Sequence, residues 1–345
     1  MGSKGILTIY INYDDMFESI NSSVKNKVIG IDVGVETTEI AVVDLRGEIL
    51  GQVGLCTTDY PNVTNFVEAL SEEIIKLAEA NGGYESLRSA GVGMPSGNYL
   101  TGCIENAGNL PWKGIVPLAA MLRDRIGMAV ALGNDVHVAA LGEHVYGTAH
   151  GMQNFGVVMA NSAGLGSCFF INGKAYLGTS GSAGELGHCC VEDNGRPCNC
   201  GRRGCLETYV SSKGIRLTAE ELMAESSEPS LMRQAGQLTY TAVCDFCQQG
   251  DALALETMRR TGEVFGRALA NYATLLNPEA IVLTGPLTIC MPWMTDKLQE
   301  SFHEHVFHNI RNKVKLVVSS LDDHERGMLG AAALAWSVQE YSLFK

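Results

Sequence analysis

The 345 residues include 38 acidic and 25 basic side chains, a formal net charge of -13 that disfavours nucleic-acid backbones and anionic membranes as principal partners. With 46% apolar and 18% charged residues, the chain can bury a large core, which excludes wholesale disorder. It has no apolar run of the ~18 residues a membrane span needs and no secretory signal at its start, so a cytoplasmic protein of two domains is expected.

Residues 1–26 are polar and irregular and read as an N-terminal extension. From Lys27 the pattern is regular. Val28–Val33, Ile40–Leu45 and Glu48–Leu55 are β-rich runs separated by turn residues, an antiparallel meander. Apolar residues at helical spacing from Phe66 to Ala78 predict a helix over 62–81, stopped by Asn81-Gly82-Gly83. Ser89–Met94 is a strand, Val116–Ile126 a helix, Met128–Leu132 a strand and Val136–Tyr146 a helix. A similar series starts near Asn154: strands at Phe155–Ala160, Ser167–Ile171 and Lys174–Leu177, with Asn172-Gly173 as a hairpin turn. After a Cys- and Gly-rich loop, helices are expected over 217–226, 230–249 and 252–276, then strands at Ala280–Thr284 and Val314–Val318. An Ala-rich helix from Met328 to Val338 closes the series. The repetition predicts a duplicated α/β fold with the ligand between two lobes.

Eleven cysteines, an odd number without an export signal, point to reduced thiols and a metal site. His188 followed by Cys198-Asn199-Cys200-Gly201-Arg202-Arg203-Gly204-Cys205 places three thiols within eight residues, among glycines that let the backbone fold around an ion. That donor set suits a closed, structural Cys₃His zinc site. The alternative, a cluster of packing cysteines, fits poorly in a segment with so little apolar material. Glu185 and Glu207 flank this loop, and carboxylates held on a metal-stapled loop are positioned acceptors for a neutral polyol. Asn134-Asp135 lies where a strand ends and a helix begins, the usual place for a ligand in an open α/β sheet. By pattern alone it reads as a helix N-cap. Asp32-Val33-Gly34 and Ser162-Ala163-Gly164-Leu165-Gly166 end corresponding strands of the two halves, and such loops can wrap a phosphate with backbone N–H groups. Short glycine turns are also routine. Cys244 and Cys247, at i, i+3 on a helical pattern, read as core packing, as do Cys189 and Cys190. His303, His305 and His308 fall on the solvated face of an amphipathic helix.

Taken in order, Gly91-Val92-Gly93-Met94-Pro95-Ser96-Gly97-Asn98, Asn109-Leu110-Pro111-Trp112, Asn134-Asp135, Gly184-Glu185-Leu186-Gly187-His188 and the Cys-x-Cys-Gly-x-x-Gly-Cys-x-Glu run resemble the ROK family of repressors and sugar kinases, its bacterial glucokinases above all. The resemblance runs from Lys27 to Trp336. It implies a hexokinase/actin-like α/β fold: a small lobe over 27–138 completed by the C-terminal helix at 328–345, a large lobe over 139–327 with the zinc loop at 188–205, and sugar in the cleft. By position, Asp135 would be the general base, superseding the cap reading. Gly97, Asn134, Glu185, His188 and Glu207 would contact the sugar. Zn²⁺ would be held by Cys198, Cys200 and Cys205, with His188 linking metal and sugar. ATP and Mg²⁺ would be met by Asp32, Gly34, Thr37, Gly164 and Gly285, and the family's members are commonly dimers or tetramers.

The nucleotide loops depart from the family pattern. Asp-x-Gly-Gly-Thr becomes Asp32-Val33-Gly34-Val35-Glu36, Gly-Thr-Gly becomes Ser162-Ala163-Gly164, and a glycine run becomes Leu283-Thr284-Gly285-Pro286, whose proline offers no N–H. A Glu ~4 Å from a phosphate charge costs roughly 4 kcal/mol at an effective dielectric of about 20, on the order of a thousandfold in affinity, unless Glu36 turns away and Thr37 or Thr38 supplies the hydroxyl. Two expectations follow: an ATP-dependent hexose kinase, or a sugar-binding regulator without catalysis. Direct DNA binding is not expected, because 26 residues are too few for a winged helix and the charge leaves no basic footprint.

Overall fold

β-Branched residues alternate on the first strands and pack against the apolar stripe of the first helix. The computed structural model describes residues 25–160 and 164–338. The expected extension, apart from Lys25 and Asn26, and Ser162 and Ala163 of the second glycine loop lie outside the described residues. By chain contacts there are two compact units: the chain through Gln153 with Phe170–Gly181 and the segment from Ser320, and Asn154–Phe169 with Ser182–Ser319.

In the first unit, β1 (Lys27–Val33), β2 (Thr37–Asp44) and β3 (Ile49–Cys56) form the expected meander. Next come α1 (Val63–Ala80), β4 (Leu87–Met94), a small sheet of β5 (Gly97–Asn98), β6 (Cys103–Glu105) and β7 (Ile115–Val116), α2 (Leu118–Ile126), β8 (Ala129–Asn134) and α3 (Asp135–Val145). The sheet order is β3-β2-β1-β4-β8, with β1, β4 and β8 parallel. Helix α1 starts where the Asn62 side chain accepts from the Thr64 N–H at 2.8 Å, and it buries Phe66, Leu70, Ile74 and Ala78, the stripe seen in the sequence.

The second unit opens with β9 (Phe155–Ala160), which leads into β10 (Leu165–Ile171); β10 runs on past Phe169 to β11 (Lys174–Ala175), in the segment grouped with the first unit. The helices α4 (Glu207–Val210), α5 (Ser212–Glu225), α6 (Tyr240–Gln248) and α7 (Ala252–Leu276) come next, then β12 (Ala280–Thr284), α8 (Met291–His305) and β13 (Lys315–Val318). The second sheet runs β11-β10-β9-β12-β13, the same order as the first, so the duplication read from the sequence is a duplication of topology.

The last helix, α9 (Arg326–Trp336), belongs to the first unit, and glycines decide how closely it lies on the sheet. A β-carbon at Gly91 would fall 1.9 Å from the Ala331 carbonyl oxygen, and one at Gly30 would fall 2.2 Å from that of Met328. The Ala-rich face of α9 therefore meets bare backbone on β1 and β4.

Four expectations are corrected. Cys189 and Cys190, read as packing residues, are exposed, because the loop that carries them has little apolar material to cover them. The helix over 230–249 is two elements, a 3₁₀ turn at Leu231–Gln234 and then α6. Gly236 interrupts it, and Thr239 starts α6 by accepting from the Ala242 N–H at 3.1 Å. His308 lies beyond α8, which ends at His305. The helix read from Val116 begins at Leu118, because Val116 pairs in the small sheet. The β5-β6-β7 strands have two or three residues each, too few for an alternating pattern to register.

Candidate functional site

In the first unit the parallel strands set the site. Across β1, β4 and β8, Asp32 pairs with Gly93 and Gly93 with Gly133, so Asp32 and the Gly133-Asn134-Asp135 corner share one sheet end. Gly97 closes on the same corner: a β-carbon there would lie 2.5 Å from the Gly133 carbonyl oxygen. The Asn134 side chain caps α3 by accepting from the Val136 N–H at 3.0 Å, and Asp135 Oδ1 accepts from the same N–H at 2.9 Å. The cap read from the pattern is thus real, and it fixes the backbone that presents Asp135.

Asp32 is the strongly perturbed acid of this corner. Burial, then the Asp135 carboxylate, then Glu39 push its carboxyl up to about 7, and Arg326 opposes them only in part. Glu39 sits directly opposite Asp32 in the β1–β2 pairing, where like charges repel. A carboxyl raised by other carboxylates is a group that a cation would stabilise.

The β1–β2 turn is tight. The Gly34 N–H donates to the Thr37 carbonyl at 2.8 Å, and a β-carbon at 34 would meet that oxygen at 2.7 Å. Glu36 and Thr37 are exposed. Thr38 is fully buried, with Oγ1 2.8 Å from Oγ1 of Thr57. Of the two threonines that could replace the missing loop hydroxyl, Thr38 is committed to the core and Thr37 faces solvent.

In the second unit Gly285 follows β12, the neighbour of β9. Its φ is +95°, and a β-carbon would lie 2.6 Å from the Ala160 carbonyl oxygen. Pro286 opens the 3₁₀ turn Pro286–Cys290, where a missing N–H is tolerated. Thr284 was not singled out by sequence. Its hydroxyl is buried without a hydrogen-bond partner, at the strand end where ligands bind in such sheets.

Glu207, first residue of α4, accepts from the Leu165 N–H at 3.2 Å through Oε2. A β-carbon on Gly164 would fall 2.2 Å from that oxygen. Two residues expected in different roles, Gly164 and Glu207, therefore touch. Glu185 is exposed just before the short 3₁₀ turn that carries His188.

His188, Cys198, Cys200 and Cys205 bring their donor atoms within 4.8 Å of one another. His188 Nδ1 is 3.6 Å from Cys198 Sγ, and Cys200 Sγ is 3.6 Å from Cys205 Sγ. Two thiolates each about 2.3 Å from a tetrahedral ion lie about 3.8 Å apart, so the donor set fits a closed zinc site. Hydrogen bonds from the Arg202 backbone and then its side chain bring Cys200 down to about 6, while burial lifts Cys205 to about 12. Gly204 of the loop is required by close approach: its φ is +74°, and a β-carbon there would lie 1.8 Å from the Glu192 carbonyl oxygen.

Arg196 was also missed by sequence. Its guanidinium donates to the Thr208 carbonyl at 2.7 Å, the Gly214 carbonyl at 3.1 Å, Thr218 Oγ1 at 2.9 Å and Glu221 Oε1 at 2.8 Å. It also stacks 4.5 Å over Tyr209. One side chain ties the thiol loop to α4, which bears Glu207, and to α5.

A family model described as the ROK family matches residues 28–338. The chain is 30% identical to a glucokinase of Halalkalibacterium halodurans over 92% of its own length and 97% of that protein. It is 27% identical to the xylose repressor of Bacillus subtilis over 85% of this chain and 73% of the repressor. Among solved structures, a ROK family glucokinase from Streptomyces griseus in complex with glucose and AMPPNP superposes with a TM-score of 0.74 at 26% identity, covering 90% of this chain and 99% of that one. The actin-like α/β fold expected from the sequence is the fold of these neighbours.

Proposed function

The chain belongs to the ROK family, and from that premise we propose that it is an ATP-dependent hexose kinase with Asp135 as general base. The observation that carries this reading is the sheet end where Asp32, Gly97, Asn134 and Asp135 converge. Phosphoryl transfer needs positioning and charge stabilisation more than covalent chemistry. A carboxylate at a capped, rigid helix start can take the proton of an attacking hydroxyl. Gly97 and Asn134 would hold the sugar beside that base, and by the family pattern Glu185, His188 and Glu207 would also contact it. His188 turns Nδ1 toward the thiols, which leaves Nε2 as the nitrogen for a sugar hydroxyl.

Asp32 is the residue to hold Mg²⁺, through water, because an acid raised by burial and then by two neighbouring carboxylates gains from a cation. The ion would offset nucleotide charge. By the family pattern, Gly34, Thr37, Gly164 and Gly285 would meet the nucleotide. His188, Cys198, Cys200 and Cys205 would hold Zn²⁺ as a structural ion that fixes the loop between Glu185 and Glu207.

A specific observation favours a second reading, a sugar-binding regulator without catalysis. Glu36 stands exposed in the β1–β2 turn, where it would oppose a phosphate, and Thr38 is locked in the core. Relatives of both kinds, a glucokinase and a xylose repressor, match the chain. Titration calorimetry with a hexose panel, alongside an ADP-release assay, separates the two. The kinase reading expects ADP release with one or more hexoses. Hexose binding with neither ADP release nor nucleotide binding would establish the regulator.

A further inference from the structure

Outside the site, the second unit holds a cluster of thiols that the proposed activity does not use. Cys244 and Cys247 lie one turn apart on α6, and Cys290 ends the 3₁₀ turn after Gly285. All three are buried, and Sγ of Cys244 is 3.1 Å from Sγ of Cys290. That separation is closer than two sulfurs packed only as hydrophobes need to be, and about 1 Å from the 2.03–2.05 Å of a disulfide. Reading Cys244 and Cys247 as core packing is right for their burial but does not account for this contact, which sequence spacing cannot show because Cys290 is 46 residues from Cys244.

We propose that Cys244 and Cys290 are a modification site: a dithiol that a small peroxide oxidises to an intrachain disulfide, clamping the Pro286–Cys290 turn to α6. In the first step the Cys244 sulfur attacks one peroxide oxygen. The O–O bond breaks, water leaves, and a sulfenic acid remains on Cys244. The Cys290 sulfur then displaces the second water as the S–S bond forms and its proton leaves with that water. Two thiols and one hydrogen peroxide give one disulfide and two waters, with two electrons passing from sulfur to oxygen. The hydrogen bond between the sulfurs sets the order: it holds the Cys244 thiol below its ordinary pKa and raises that of Cys290, so Cys244 is the first nucleophile. Cys247 is pushed up to about 12 by burial and stays a thiol.

Burial selects the oxidant. Cys290 has no exposed surface and Cys244 almost none, which excludes a bulky disulfide such as oxidised glutathione. Entry for hydrogen peroxide is through the turn itself, which is five residues long and carries the exposed Ile289 next to Cys290. Short turns of this kind open locally at low free energy.

The test uses the full-length, zinc-loaded protein treated with hydrogen peroxide. Free thiols are alkylated under denaturing conditions and the peptides mapped by mass spectrometry. The expected result is a Cys244–Cys290 cross-linked peptide that dithiothreitol abolishes. Cys247→Ser should keep it, and Cys290→Ser should lose it. Amide exchange in residues 287–290 should slow in the oxidised protein. Cys244 and Cys290 both fully alkylated while the exposed Cys56 or Cys189 is oxidised would overturn the proposal. So would a cross-link through Cys247, or unchanged exchange in the linked protein.

Discussion

Asp32 carries a conflict that a single substitution can expose. Its carboxyl is held near 7 in the folded chain by burial, Asp135 and Glu39, against an ordinary value of 3.8. Between those values the folded state keeps a proton that the unfolded chain has released, so this group's contribution to stability falls as pH rises from about 4 to about 7. Asparagine mimics the protonated acid without titrating. Asp32→Asn should therefore raise the melting temperature at pH 8 relative to wild type by about 2 °C or more, with a smaller gain at pH 5. Equal gains at the two pH values in thermal unfolding would contradict the assignment. Saturating Mg²⁺ acts in the same direction on wild type if Asp32 helps to hold the ion, and Asp32→Asn removes that response. The identity of Asp32 as a strand-end acid is legible in the sequence. Its charge state is not, because that depends on Glu39 across a hairpin and Asp135 more than a hundred residues away.

At the scale of elements, two contacts bear most of the positioning. The first is α9 on its sheet. Gly91→Ala places a methyl against the Ala331 backbone oxygen, which no side-chain rotation relieves, and overpacking of this kind costs about 1–3 kcal/mol or more. Gly236→Ala, where nothing lies within 4 Å of the new carbon, is the matched control and should be within about 0.5 kcal/mol of wild type in urea unfolding. The second is Arg196, whose guanidinium binds both α4 and α5. Arg196→Ala should cost about 2–4 kcal/mol, and Arg196→Lys should recover little, since an ammonium cannot reproduce the fork. An Arg196→Lys protein of wild-type stability would show that the fork is not what holds these helices. Helices α1 and α7 were legible because long periodic stripes are local information. The break at Gly236 was hidden because the flanking residues keep helical character, and the small β5-β6-β7 sheet because its strands are too short to show a period. Arg196 could not be found at all, as its partners come from two helices that lie 12 to 25 residues away in sequence.

Across the whole molecule, two sheets with the same strand order carry two sets of residues, each set at strand or loop ends of its own unit. The thiol loop was readable directly, since its four donor residues lie within one short segment. The Gly164–Glu207 contact was not, since it joins residues assigned to separate jobs. Metal analysis should find about one zinc per chain, and prolonged chelation should lower the melting temperature while releasing the four-donor cluster to alkylation. A folded, zinc-free preparation with unchanged melting would remove the zinc assignment but leave the sheet-end chemistry of the first unit intact. That chemistry is the central claim, and the most direct measurement is ADP release with a bound hexose, wild type against Asp135→Asn. Wild type should turn over and the variant should lose at least about 10²-fold, with hexose affinity retained in calorimetry. Undiminished turnover by Asp135→Asn would contradict the claim.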